Sequence, residues 1–344
     1  MDRIGRVYVK ALYREYTDAS FTRLKPRPPE WAHLGSLGPV LRAAVGDTIR
    51  VTFRNNASFP CSIHPHGVFY TKENEGVPVP SSSSSSSSDD IHRMGGDEVM
   101  PGETFTYLWQ VPERAGPGPN DPSSIAWLYH SHVNEVRDVN AGLVGVILVS
   151  ASAATGGGRP ADVDREFVVF FSIVDENLSW YMYRNIRNYL PSITNDTAVE
   201  ALRMDPEFQE SNLMHAINGY VYANLPGLAM RVGERVRWHV ISLGDEQDLH
   251  GVHWHGGTLL SDGHRMDAIE LIPASMKTLD MVPDNVGRWL LHCHTNHHVV
   301  AGMTALYAVS PSPMMDEAVH QISSGSHVAA HRLHSMLAAV LSFL

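Results

Sequence analysis

Histidine recurs at four places in the 344-residue chain as a pair separated by one residue. The pairs are His64/His66, His130/His132, His253/His255 and His292/His294. Random placement of 20 His in a chain of this length would give about one such pair, so four pairs are more than chance would produce and indicate a functional pattern. Residues i and i+2 of a strand point to the same face, so each pair presents two imidazoles side by side. Imidazole binds copper, zinc, iron and nickel, and eight such nitrogens suffice for a metal cluster.

The last pair encloses a cysteine, Cys293. If this segment is a strand, Cys293 faces the side opposite to His292 and His294, because side chains alternate between faces. The thiolate can then bind a metal on one side while its two neighbours bind metals on the other. This arrangement would link two metal sites through one short peptide.

Further ligand candidates for the cysteine site lie nearby in the sequence. His298 follows Cys293 by five residues, Met303 follows it by ten, and His250 precedes His253 by three. One Cys, two His and a weak axial Met form the ligand set of a blue-copper electron-transfer centre. Three alternatives remain open from the residues alone: a buried core thiol, a core-filling Met, and zinc in place of copper.

Ser131 stands between His130 and His132 in the first half of the chain, where Cys293 stands in the second half. A serine hydroxyl is a poor copper ligand beside a thiolate. We therefore expect one blue-copper site per chain, in the second half alone.

Composition narrows the classes of partner. The formal net charge of −11 argues against nucleic acid and mildly favours cationic substrates. The two cysteines, Cys61 and Cys293, provide no disulfide framework if one is a metal ligand. No signal peptide is predicted at the start of the chain. The sequence contains no apolar run of about 20 residues, so no membrane span is predicted.

Alternation of apolar and polar residues predicts an all-β protein. Asp47–Arg54 and Glu234–Ser242 both show the period of two that is typical of half-buried strands. Gly and Pro interrupt such segments at short intervals, as in β-sandwiches. Some helix is predicted around Asp196–Ser211.

Two H-x-H pairs fall in each half, which indicates a duplicated domain. Gly156–Pro160 interrupts the strand pattern, and Glu166–Val174 then begins a new apolar strand. We therefore assign 1–152 to domain 1, 153–164 to a linker, 165–312 to domain 2 and 313–344 to a loosely attached tail. The serine run Ser81–Ser88 is interpreted as a flexible, solvated loop insertion in domain 1.

Four segments resemble the copper motifs of the multicopper oxidase family, in the same order: His64–Gly67, Tyr129–His132, His250–Gly256 and His292–Met303. Flanking segments, among them Asp164–Val169 and Met214–Gly219, are similar to the ceruloplasmin- and hephaestin-like ferroxidases. The resemblance covers roughly residues 1–312. It implies two tandem cupredoxin-like Greek-key β-sandwich domains.

The resemblance also implies about four coppers per chain, of three types. The implied ligands are His250, Cys293, His298 and Met303 for type 1 copper, His64 and His253 for type 2 copper, and His66, His130, His132, His255, His292 and His294 for the type 3 pair. Electrons donated near type 1 copper would pass through Cys293 to His292 or His294. Four such electrons would reduce O2 to water.

The reducing substrate implied by the resemblance is Fe(II), with a role in iron transport. Glu210 and His215 match two positions that bind Fe(II) beside type 1 copper in these ferroxidases, whereas a third position, Asp in the family, is His297 here. That difference weakens the expectation of iron specificity. The resemblance also suggests calcium near Asp121 and an extracellular, secretory-pathway or cell-surface location.

Two domains cannot close the ring in which six-domain relatives bring their first and last domains together. Three copies could close one through head-to-tail contacts. We therefore expect a homotrimer with a three-copper cluster at each subunit interface, as in two-domain laccases.

Other functions are weighed against the ferroxidase hypothesis. One is a laccase-like oxidase of phenols or amines, and another is a non-catalytic cupredoxin module used for binding. A binding module has no need of all four H-x-H pairs and Cys293, so the oxidase is favoured. Copper nitrite reductase places type 1 copper in its first domain, which Ser131 and Cys293 contradict.

Overall fold

The computed structural model describes residues 3–5, 7–78, 95–152 and 158–312. The predictions for Ser81–Ser88, for residues 313–344 and for part of the linker lie outside these residues. The described part contains seventeen strands and five short α-helices, which confirms the all-β prediction. The strands are β1 Val40–Ala44, β2 Thr48–Arg54, β3 His64–Pro65, β4 Thr104–Gln110, β5 Ser124–His130, β6 Val144–Ser150, β7 Arg165–Asp175, β8 Leu213–Ile217, β9 Ala229–Arg231, β10 Val236–Ser242, β11 His250–Trp254, β12 Leu259–Ser261, β13 His264–Met266, β14 Ala268–Leu271, β15 Met276–Met281, β16 Gly287–Cys293 and β17 Thr304–Ser310. The helices are α1 Glu135–Ala141, α2 Met182–Tyr189, α3 Asp196–Arg203, α4 Pro206–Glu210 and α5 Asn296–Val300.

The second half of the chain forms a two-layer β-sandwich. One sheet has the strand order β13-β12-β15-β10-β7-β8 and the other has the order β14-β11-β16-β17-β9. Alternate residues of both sheets bury a core that includes Trp238, Trp254 and Tyr307. Cys293 and Met303 belong to this same core, so the thiol faces the interior of the sandwich.

The first half forms a smaller sandwich from a four-stranded sheet, β1-β6-β5-β3, and a two-stranded sheet, β2-β4. Its core includes Tyr107, Trp109 and Ile147. The predicted strand at Asp47–Arg54 is confirmed as β2, with Arg50 and Arg54 exposed between more buried neighbours.

A third apolar cluster joins the two sandwiches. It combines Leu128 and Leu148 of the first domain with Val168 and Ile241 of the second. The strands β6 and β10 are consequently buried along their whole length. The prediction that Glu234–Ser242 is half-buried was therefore wrong, because its second face packs against the other domain.

Polar residues on that second face of β10 are buried, and hydrogen bonds and ion pairs satisfy them. The guanidinium of Arg237 donates to Ser124 Oγ of domain 1 at 3.0 Å and to Asp280 Oδ1 at 2.7 Å. His239 Nε2 lies 3.3 Å from Glu166 Oε1, and Arg42 Nη2 of domain 1 donates to Glu166 Oε2 at 2.5 Å. Buried polar groups are tolerated when they are paired, as they are here.

The helix predicted around Asp196–Ser211 is confirmed as α3 and α4, which the side chains of Asn195 and Asp205 cap. No helix in the described part of the chain is long and apolar enough to cross a membrane.

Candidate metal centres

Strand register brings the histidines of each domain together. In domain 1, β3 pairs with β5 and His64 lies opposite His130. In domain 2, β11 pairs with β16 and His253 lies opposite His292. The second His of every pair follows two residues later on the same face, so each domain presents a quartet of imidazoles.

The domain 1 quartet consists of His64, His66, His130 and His132. Its rings lie 5.3 to 5.6 Å apart between centroids, and His66 Nε2 is 3.2 Å from His130 Nε2. Ligand atoms of the first three residues all fall within 4.8 Å of one another. Glu135 Oε2 lies 3.4 Å from His132 Nε2 at the rim.

The domain 2 quartet consists of His253, His255, His292 and His294. His292 Nε2 lies 3.1 Å from His255 Nε2 and 3.2 Å from His253 Nδ1. The ring of His294 lies 5.3 Å from that of His292 and 5.4 Å from that of His253. The two quartets therefore have the same internal arrangement. No ring contact joins one quartet to the other among the residues described.

Backbone carbonyls set the orientation of three of these rings. Nδ1 of His64 donates to the Glu75 carbonyl at 2.7 Å, and Nδ1 of His292 donates to the Cys293 carbonyl at 2.9 Å. His130 Nδ1 lies 3.1 Å from the Ser131 carbonyl. A carbonyl can only accept, so Nδ1 carries the proton and Nε2 offers its lone pair to the cluster.

Burial also lowers the pKa of several imidazoles in the two quartets. Burial and the neighbouring His64 lower the pKa of His66 to about 4, and burial with the neighbouring His66 lowers the pKa of His130 to about 3. Burial and the adjacent ring of His255 lower the pKa of His253 and of His292. Neutral imidazoles are the form that binds metal ions.

A second kind of centre surrounds Cys293. The sulfur lies 3.4 Å from Nδ1 of His298 and 3.8 Å from Nδ1 of His250, and all three residues are buried. Burial raises the pKa of the Cys293 thiol, but the contacts with the two His outweigh it and lower the pKa to about 5. The structure thus gathers a thiolate and two imidazoles in a dry site.

Met303 and Asp248 complete the surroundings of this centre. Met303 is fully buried, and its carbonyl accepts from the Cys293 N–H at 3.1 Å. Asp248 Oδ1 lies 3.1 Å from His250 Nε2, which leaves Nδ1 of that ring facing the sulfur. The sequence analysis missed Asp248, although its position two residues before His250 on a strand-like segment was a signal for it.

These donor sets fit copper. Soft thiolate with two imidazoles and a nearby thioether is the set that binds copper in electron-transfer centres, and imidazole clusters also suit copper. Zinc would accept the same nitrogens but has no use for a thioether beside a single thiolate.

An open cleft of about 1380 Å³ lies beside the thiol centre. Glu210, His215 and His297 line it, with Glu210 Oε1 3.9 Å from His297 Nε2. The ring of His215 lies 5.2 Å from those of both His297 and His298. Nδ1 of His215 is buried and has no hydrogen-bond partner in the described structure.

The residue singled out for calcium lies elsewhere. Asp121 is in an exposed turn, where Oδ2 accepts from the Gly118 N–H at 2.8 Å. It belongs to none of the three close groups of potential metal ligands in the described residues. A calcium role for Asp121 therefore stays a prediction.

Comparison with known proteins also indicates a copper-binding family. Two models of the multicopper oxidase family match residues 34–154 and 194–313. Ferroxidase HEPHL1 of Homo sapiens is 43% identical over 310 residues, which is 90% of this chain and 26% of the relative. Ceruloplasmin of Homo sapiens is 43% identical over 310 residues, with 28% of the relative covered. This chain thus spans about a quarter of the length of these relatives.

A solved structure titled as a multicopper oxidase superposes on 79% of this chain and 78% of its own, with a TM-score of 0.54 and 21% identity. At that identity the likeness concerns the fold, and it confirms the cupredoxin-like architecture. With two matching domain models in tandem, each on one β-sandwich, the chain belongs to the multicopper oxidase family.

Proposed function

We propose that this chain couples the one-electron oxidation of Fe(II) to the four-electron reduction of O2 to water. One observation supports this most directly. His292 and Cys293 are consecutive, yet the His292 ring joins the domain 2 quartet while the Cys293 sulfur contacts His250 and His298. A single peptide thereby connects a buried thiolate centre with an imidazole cluster.

The proposed ligands are those assigned from the sequence. Type 1 copper would be held by His250, Cys293, His298 and Met303. Type 2 copper would be held by His64 and His253, each the first His of its pair. The type 3 pair would be held by His66, His130, His132, His255, His292 and His294. Bound copper would supply one-electron redox chemistry at the thiolate centre and O2 reduction at the cluster.

The protein side chains define the environment of these centres. Cys293 and Met303 have no exposed surface, so water is excluded from the thiolate. Asp248 orients His250, and the Cys293 carbonyl orients His292. Ligands held in one orientation need little rearrangement when the charge at the metal changes.

The cleft beside this centre is the proposed Fe(II) site. Glu210, His215 and His297 offer one carboxylate and two imidazoles, a combination that suits Fe(II). The His215 ring contacts that of His298, so bound iron would lie close to the thiolate centre. His297 replaces a carboxylate of the family pattern with an imidazole, so the proposed site keeps three ligands and carries less negative charge.

A second substrate class is favoured by the size of the same cleft. A volume of about 1380 Å³ far exceeds the needs of one metal ion. Tyr220 and Tyr222 line it and both are exposed, so an aromatic amine or phenol could stack there. An organic reductant is therefore the alternative to Fe(II).

The assembly proposed from the sequence agrees with the separation of the quartets. Each quartet supplies half of the eight nitrogens, and no contact joins the halves within the described part of one chain. We expect the domain 1 quartet of one subunit to meet the domain 2 quartet of the next in a homotrimer. Size-exclusion chromatography with light scattering tests this, and a fully copper-loaded, active monomer contradicts it.

Steady-state O2 consumption by the copper-loaded protein tests the proposed function. We expect Fe(II) to support turnover with a higher kcat/KM than a bulky phenol does. Faster turnover of the phenol would favour the organic reductant. Absence of O2 consumption with either donor, at full copper loading, would refute the oxidase.

A further inference from the structure

The strands that carry the two quartets are connected by different hydrogen bonds at one equivalent position. In domain 2, β11 pairs with β16 and His253 lies opposite His292. Two residues away along both strands, the His294 N–H donates to the Gly251 carbonyl at 2.6 Å. Main-chain atoms alone therefore connect the strands beside the domain 2 quartet, as in an ordinary antiparallel ladder.

In domain 1 a serine side chain takes part at the same position. β3 pairs with β5, and His64 lies opposite His130. Two residues away, the His132 N–H donates to Ser62 Oγ at 3.1 Å. The Ser62 carbonyl accepts instead from the hydroxyl of Tyr13 at 2.6 Å. A side-chain hydroxyl thus replaces the main-chain acceptor that domain 2 uses.

The same hydroxyl also holds the segment that orients a ligand candidate. Ser62 Oγ donates to the Gly76 carbonyl at 2.6 Å. The preceding carbonyl, that of Glu75, accepts from Nδ1 of His64 at 2.7 Å. One serine side chain therefore connects the main chain of His132 with the segment that sets the direction of the His64 ring.

The segment 74–76 is packed closely against the strand that carries the first histidine pair. At one end, Nε1 of the buried Trp109 donates to the Asn74 carbonyl at 3.0 Å. At the other end, Gly76 has a φ of +75°, and a Cβ there would lie 2.4 Å from the Ile63 carbonyl oxygen. Loss of the hydrogen bond at either end would let the segment move, together with the carbonyl between them.

Burial makes these contacts of Ser62 difficult to replace. The residue has no exposed surface, so solvent does not reach its polar groups. Its N–H donates to Ser131 Oγ at 3.0 Å, and its hydroxyl both donates and accepts. A buried N–H that loses its acceptor costs free energy, so without this hydroxyl the main chain at His132 would rearrange. The His132 ring lies 5.3 Å from the ring of His64, so such a movement alters the quartet itself.

We propose that Ser62 is a positioning residue of the domain 1 quartet. Its hydroxyl fixes the tautomer and direction of the His64 ring through the segment that ends at Gly76, and it fixes the place of His132 through the main-chain N–H. Imidazoles held in this way bind a metal ion with little rearrangement. The inference rests on the proposed function for its copper readouts, whereas its effect on the imidazoles is measurable without metal.

Nitrogen NMR of the metal-free full chain, with labelled histidine, tests the proposal first. In wild type we expect His64 in the single tautomer with the proton on Nδ1. In Ser62→Ala we expect a mixture of both tautomers and about tenfold faster hydrogen exchange at the His132 N–H, because the segments open more often. Ser62→Thr keeps the hydroxyl and should retain the wild-type tautomer. Ser124→Ala is the matched control, since Ser124 is an equally buried serine at the far end of β5 whose Oγ accepts from Arg237.

Copper loading gives the second readout. The type 2 copper signal in electron paramagnetic resonance should need about tenfold more free copper in Ser62→Ala, whereas the blue absorbance of domain 2 should be unchanged. A wild-type tautomer in Ser62→Ala, or equal changes in Ser62→Thr, would overturn the proposal. Loss of the blue absorbance along with the type 2 signal would overturn it too, because Ser62 would then support the whole fold. If wild type binds no copper, the proposed function fails, and the tautomer of His64 still decides the role of Ser62.

Discussion

Two equivalent strand ends carry different buried sites in the two domains. In domain 1, the hydroxyl of Ser131, directly after β5, donates to Asp138 Oδ2 at 2.6 Å. In domain 2, the sulfur of Cys293, at the end of β16, lies 3.4 Å from His298 Nδ1. Both positions are fully buried. The sandwich therefore supplies the location, and a few side chains decide between a hydrogen-bonded polar cluster and a set of potential metal ligands.

The domain 1 cluster has its hydrogen bonds satisfied. Asp138 accepts from the Ser131 hydroxyl, from the Asn134 N–H at 3.0 Å and from Trp180 Nε1 at 2.8 Å. In domain 2 the Nδ1 atoms of His250 and His298 instead face the sulfur, at 3.8 Å and 3.4 Å. The domain 1 cluster stabilises the fold by pairing buried polar groups, whereas the domain 2 centre groups atoms that could hold a metal ion.

Cys293→Ser makes domain 2 resemble domain 1 and should have the largest effect. We expect loss of blue absorbance and a fall in oxidase turnover on the order of 10⁴-fold, the scale seen when one member of a functional unit is removed. Visible spectroscopy and O2 consumption measure the two effects. Cys61→Ser is the matched control, since Cys61 is equally buried but lies in domain 1. Turnover retained by Cys293→Ser would disprove the proposed link between the centres.

Asp138→Ala tests the other half of the comparison. The substitution leaves Ser131, Asn134 and Trp180 with buried donors that lack an acceptor. We expect a loss of about 3 kcal/mol in the free energy of unfolding, from unsatisfied buried groups. Denaturant unfolding measures it, and the blue absorbance of domain 2 should be unchanged in the folded variant. A loss of absorbance without a loss of stability would show that this cluster serves the copper centre.

Most of the fold and of the ligand clusters could be predicted from sequence, because their signals are local. Alternation identified the strands around β2 and β10, a run of apolar residues after the linker identified β7, and strand geometry placed Cys293 opposite to His292. The family expectation of two cupredoxin-like sandwiches is confirmed by the sheets and the matching domain models.

What escaped prediction depends on contacts between distant segments. The second face of β10 is buried because a sheet from the other domain covers it, and no local pattern records that packing. Asp248 and the Glu75 carbonyl orient ligands through contacts that only the folded chain creates. His297 was interpreted as a departure from the iron-binding pattern of the family; in the cleft its Nε2 lies 3.9 Å from Glu210 Oε1 and its ring lies 5.2 Å from that of His215.

The pair of domains is also joined by a titratable group at their interface. Burial alone would raise the pKa of Glu166, but His239 and Arg42 outweigh it and hold this pKa at about 2. An unfolded Glu titrates near pH 4.3, so this carboxylate contributes stability above that pH and loses it as pH falls toward 2. We expect wild type to lose about 2 kcal/mol more than Glu166→Gln between pH 5 and pH 3. Urea unfolding at both pH values, on metal-free protein, measures the difference, and equal losses would contradict the assignment.

The smallest expected effect concerns the proposed Fe(II) site in the cleft beside the thiol centre. Glu210→Ala should raise the KM for Fe(II) about tenfold, because one charged ligand of the proposed iron site is removed. The KM for a bulky phenol should hardly change, since the aromatic residues of the cleft remain. Glu207→Ala is the matched control, because Glu207 is an exposed carboxylate of the same helix and also lines the cleft. If both variants change both KM values equally, the carboxylates act through their general negative charge, and the specific contact of Glu210 with iron is refuted.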